Sequence, residues 1–88
     1  MKLSQQKRDK IAEQILSYLY HEFPNSHFTS RISQEIARDE EFIKSLMFDL
    51  KEKNLVISIK KNTKGEFYSR RIRWRLSNKA QEAYKQHL

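Results

Sequence analysis

The side chains of this chain best placed to do chemistry are cations. Lys60, Lys61, Lys64, Arg70, Arg71, Arg73, Arg75 and Lys79 fall within residues 55–79 beside a single anion, Glu66. Elsewhere the charges cancel. Residues 1–54 hold nine basic and nine acidic side chains, and residues 80–88 hold Lys85 and Glu82. The formal net charge of +7 therefore resides in one segment. A charge run is ordinarily a solvated face, but eight cations against one anion is denser than solubility requires. Crowding like charges carries a repulsive cost that a polyanion offsets. Nucleic acid is the expected partner, with acidic proteins and membrane surfaces as the alternatives.

Other chemistries are poorly served. The chain has no Cys, which removes disulfides, thiolate metal sites and thiol nucleophiles together. One Gly and one Pro leave no glycine-rich phosphate loop and no flexible linker. His21, His27 and His87 lack metal-ligand spacing. No nucleophile, base and orienting group stand together, and Asp39, Glu40 and Glu41 fan apart around a helix start. An enzyme, a cofactor, a metal site and a small-molecule ligand are not expected. No apolar run approaches the roughly 20 residues of a membrane span, and the N-terminus lacks the apolar stretch of a signal peptide. The expected compartment is the cytoplasm.

The elements that must position the cations follow from periodicity. Eighty-eight residues suit one domain, taken as 1–88. Ser4 can cap a helix over 4–22, with Ile11, Ile15, Leu16 and Leu19 on one stripe. Phe23-Pro24 ends it. A short strand spans 27–29, and Thr29 or Ser30 caps a helix over 30–37 carrying Ile32 and Ile36. Asp39 caps a third helix, 40–53, whose inward stripe is Ile43, Met47 and Leu50. Asn54 suits a left-handed helix end. A hairpin over 55–76 follows. Its first strand is expected to alternate Leu55, Ile57 and Ile59 against Val56, Ser58 and Lys60, and Asn62-Thr63-Lys64-Gly65 supplies a turn. The returning strand sets Tyr68, Ile72, Trp74 and Leu76 at one parity and Arg71, Arg73 and Arg75 at the other. Trp74 is thereby expected in the core. A last helix, 78–88, is capped by Ser77 or Asn78.

The stretch Ile32–Leu50 has apolar residues at Ile32, Ile36, Ile43, Met47 and Leu50, the spacing of two crossed helices that share a core. Together with Lys51–Val56 and Arg75–Ala80 it resembles the winged-helix (winged helix-turn-helix) family of DNA-binding domains. The resemblance covers nearly the whole chain, with Asn54 standing where many relatives have Gly. It implies a small α+β fold ordered helix-strand-helix-helix-strand-strand-helix, with a three-helix core and a β-hairpin wing.

The resemblance makes 40–53 the recognition helix, which would enter the major groove, where base pairs show distinct donor and acceptor patterns. Lys44 and Ser45 are its best candidates for DNA contact; Glu40 and Glu41 are better suited to capping charge. Lys60, Lys61, Lys64, Arg70, Arg71 and Arg73 are expected to bind the DNA backbone from the wing, joined by Arg31 from the second helix. Arg71, Arg73 and Arg75 recur about 7 Å apart, close to the phosphate spacing along a strand. Arg75, nearest the core, is equally suited to a structural pair with a carboxylate. Binding is expected to be wing-led, on double-stranded DNA, by a small transcriptional regulator or an accessory protein of a mobile element. A homodimer is expected through the first and last helices, with Tyr84 and Leu88 as candidate contacts. The alternatives are a protein-interaction winged helix using Phe42 and Phe48, and an RNA-binding one.

Overall fold

The computed structural model describes residues 4–60 and 72–86. In chain order the elements are α1 (Gln5–Glu22), β1 (His27–Phe28), α2 (Thr29–Ile36), α3 (Glu40–Glu52), β2 (Val56–Ile59), β3 (Arg73–Leu76) and α4 (Asn78–Gln86). The Ser4 hydroxyl accepts from the Lys7 N–H at 3.3 Å, satisfying one of the unpaired donors at the start of α1. Asp39 does the same for α3, accepting from the Phe42 N–H at 3.1 Å. The two helices of the helix-turn-helix end alike. Ala37 (φ 60°) and Asn54 (φ 62°) are left-handed, and Arg38 N–H donates to Ser33 O as Leu55 N–H donates to Leu50 O, both at 3.0 Å. Each six-to-one bond satisfies a terminal carbonyl and turns the chain sharply, which sets α3 across α2 and aims residue 55 into the sheet.

The sheet is three-stranded and antiparallel, in the order β1-β3-β2. Val56 faces Leu76 and Ser58 faces Trp74 across the β2–β3 pair, so each couple shares one side of the sheet. That side packs on the helices. Ile15, Leu19, Ile32, Ile43, Met47, Val56, Trp74 and Leu76 form its most deeply buried layer. None of the described helices is long and apolar enough to cross a membrane.

Three expectations are corrected. In β2 the inward residue is Val56, whereas Ile57 is exposed and pairs with Arg75 on the outer face. The parity is set by the partner strand: Trp74 and Leu76 occupy the core side, and the residues opposite them must join them. The second helix begins at Thr29, one residue earlier than expected, and the short strand ends at Phe28. Neither Thr29 nor Ser30 caps it; the N-cap position is Phe28, with no side-chain cap bond. The Thr29 hydroxyl is needed elsewhere. It accepts from Trp74 Nε1–H at 2.8 Å and donates to Ile72 O at 3.5 Å. Trp74 can be fully buried because its one polar atom is satisfied there. Thr29→Val keeps the shape and strands that donor, so a loss of about 1–3 kcal/mol in denaturant unfolding is expected. An unchanged midpoint would show the bond to be dispensable. Helix α4 is described to Gln86, and the last two residues of the expected 78–88 helix lie outside the described residues.

Candidate nucleic-acid interface

Helix α3 carries the residues expected to meet bases. Ile43, Leu46, Met47 and Leu50 are buried, and at 3.6 residues per turn the opposite ridge is Glu41, Ser45, Phe48 and Glu52. Ser45 is exposed on that ridge, and Lys44 is half-buried on its flank. Within α3 the acidic Glu40, Glu41, Asp49 and Glu52 outnumber Lys44 and Lys51, so the helix alone would repel phosphate. Glu40 and Glu41 lie in its first turn, where carboxylates stabilise the positive end of the helix dipole. Part of the remainder is neutralised from α1: Arg8 forms an ion pair with Asp49, and its guanidinium lies 5.5 Å from the Phe42 ring centroid. Phe42 is therefore packed beneath Arg8 and does not form an exposed pair with Phe48. Nothing in the sequence pattern links Arg8 to Asp49, which lie 41 residues apart.

The cations of the wing divide into four groups. Lys60 directly follows β2 and is half-buried. Arg73 projects from the outer face of β3, half-buried, with its guanidinium 5.9 Å from the Phe28 ring centroid. Phe28 is one residue that sequence reasoning passed over; it pairs with Arg73 across the sheet and is 40% exposed. Lys61, Lys64, Arg70 and Arg71 lie outside the described residues. Arg75 has a structural role, but among the described residues not with a carboxylate. Its Nη1 donates to Leu76 O at 2.9 Å and Asn78 Oδ1 at 3.3 Å, tying β3 to the start of α4, and its guanidinium lies 5.9 Å from the Phe23 ring centroid.

Arg31 is exposed on α2 and paired with Glu35 at 3.0 Å. The Tyr18 hydroxyl, and then Glu35, raise its pKa above the ordinary arginine value, so it stays cationic at every working pH. Tyr84 packs on Tyr20 within its own chain, ring centroids 4.7 Å apart, and Leu88 lies outside the described residues. His21 Nδ1 lies 2.8 Å from Ser17 O, and His27 Nε2 lies 3.0 Å from the Glu22 carboxylate without the alignment of a hydrogen bond. Among the described residues no cluster of side chains is arranged to hold a metal ion.

No protein-family model and no curated protein matches the sequence. Solved structures do. The zinc-responsive MarR family member ZitR of Lactococcus lactis is 23% identical and superposes with a TM-score of 0.67 over 99% of this chain and 52% of its own. A double mutant of ZitR in its apo form is 22% identical, with a TM-score of 0.71 over 93% of this chain and 57% of its own. A mutant of MepR from S. aureus, bound to an oligodeoxyribonucleotide, is 22% identical, with a TM-score of 0.64 over 94% of this chain and 66% of its own. The chain thus spans little more than half the length of the ZitR chains. At these identities the likeness concerns the fold, and it agrees with the helix-turn-helix and wing built from the residues. The chain is an α+β winged helix, sharing its fold with ZitR and MepR.

Proposed function

We propose that residues 1–88 form one DNA-binding winged-helix domain that grips duplex phosphates through its wing, as a small transcriptional regulator or an accessory DNA-binding protein of a mobile element. The observation that carries this reading is the placement of the whole net charge of +7 in residues 55–79, the segment that forms β2, β3 and their connection beside a helix-turn-helix. Helix α3 is acidic, so the favourable electrostatics must come from Lys60, Lys61, Lys64, Arg70, Arg71 and Arg73. Lys44, Ser45 and Arg31 then add docking contacts. One support is independent of the charge: the fold is shared with a mutant of MepR that was captured on an oligodeoxyribonucleotide. The role is one of binding, in the cytoplasm. A homodimer on paired half-sites fits this size and fold. Tyr84, half-buried against Tyr20, and Leu88 are its proposed contacts, on a surface drawn from α1 and α4.

The reading distinguishes DNA from RNA. A-form duplexes bury their major groove, so a helix-turn-helix fits them poorly. In competition against a labelled DNA duplex of about 20 base pairs, unlabelled DNA is expected to displace at lower concentration than an RNA duplex of the same sequence. Equal or better displacement by RNA would contradict the proposal.

A further inference from the structure

Helix α3 leaves one large apolar side chain on its outward ridge. Phe48 is 37% exposed, and its ring meets Trp74 edge-to-face, with centroids 5.3 Å apart and planes at 89°. Trp74 belongs to β3 and is fully buried, so Phe48 sits at the seam between α3 and the sheet with its ring held from one side. A pre-ordered aromatic loses little conformational entropy when its other side is covered. The neighbouring positions on the ridge are Glu41, Ser45 and Glu52.

We infer that Phe48 reads the 5-methyl group of thymine in the major groove, an inference that rests on the DNA-binding reading above. Of the groups that base edges display there, the thymine methyl is the apolar one, and contact with an apolar side chain is how it is recognised. Lys44 lies one turn before Phe48 and Ser45 beside it, so both can add contacts next to the methyl group, whereas Glu41 serves the helix start. The resulting preference is for thymine at the position Phe48 covers.

The test enriches tight duplexes from a random pool of about 20 base pairs, then replaces each dT of the best duplex by dU, which removes only the methyl group. Covering one methyl is worth about fourfold in affinity. About a fourfold loss is expected at one fixed thymine per half-site for the wild type, and no loss there for Phe48→Ala. The dT-to-dU comparison on the wild type needs no folded variant, and the melting temperature of Phe48→Ala shows whether removing the ring that packs on Trp74 has unfolded it. Salt-dependent binding with no fixed thymine, or with dU equal to dT at every position, would overturn this inference while leaving the DNA-binding reading intact. Methyl sensitivity that persists in folded Phe48→Ala would also overturn it. Failure of any duplex to bind at low salt would overturn both.

Discussion

Trp74→Ala is expected to bring the domain to the edge of unfolding. Trp74 is 0% exposed, lies on the central strand of the sheet, and touches Thr29 through its Nε1–H and Phe48 through its ring. Removing the indole leaves a cavity lined by both helix and strand, and it takes a partner from the Thr29 hydroxyl. Large aromatic truncations in cores cost about 3–5 kcal/mol. A chain of this length has a total stability on the order of 4–13 kcal/mol, at roughly 0.05–0.15 kcal/mol per residue. The substitution therefore removes a large fraction of what holds the fold. Urea unfolding followed by circular dichroism measures the midpoint directly. A shift worth less than about 1 kcal/mol would mean that Trp74 is not the centre of this core.

Arg70→Ala with Arg71→Ala carries the largest expected effect on binding. Removing one phosphate contact lowers the log-log salt slope by about 0.9, which at 0.1 M salt corresponds to about eightfold in affinity. Removing two then amounts to about sixtyfold, with little change in melting temperature. Lys44→Ala with Ser45→Ala should cost less, because both residues lie on a helix whose own charge is negative. Titration of a labelled duplex by fluorescence anisotropy compares the two double variants. The reverse order, with the helix pair abolishing binding and the arginine pair without effect, would refute wing-led binding.

How far the sequence is legible depends on whether one strong pattern or two competing ones are present. The helices are readable because their apolar stripes leave one solution each and their ends carry short-range signals: Ser4, Asp39 and Asn54 sit where local chemistry requires them. Strand β3 is equally clear, since arginine and large apolar residues alternate without exception over Ile72–Leu76. Strand β2 is ambiguous. Leu55, Val56, Ile57 and Ile59 are apolar at both parities, and only the pairing of Val56 with Leu76 decides which face is inward. Thr29 shows a different limit. A threonine before a helical stripe is an ordinary capping candidate, but a buried indole 45 residues away competes for its hydroxyl and wins. Arg8 is of the same kind, since its partner Asp49 is assigned by tertiary approach, whereas Arg75 bonds locally to Leu76 and Asn78 where β3 turns into α4, a geometry that no helical or strand period signals. For the site, total charge and its location are legible. The acidic balance of α3 is legible too, once its bounds are known. Which face Phe48 takes requires the fold.

The central claim is that a localised block of cations binds the backbone of duplex DNA. The most direct test is the affinity of the unmodified chain for a random duplex of about 20 base pairs, measured across a salt series. About four to six phosphate contacts predict that the logarithm of the binding constant falls against the logarithm of salt concentration with a slope of about −4 to −5. Absence of binding at low salt, or affinity that does not change as salt rises, would contradict the claim.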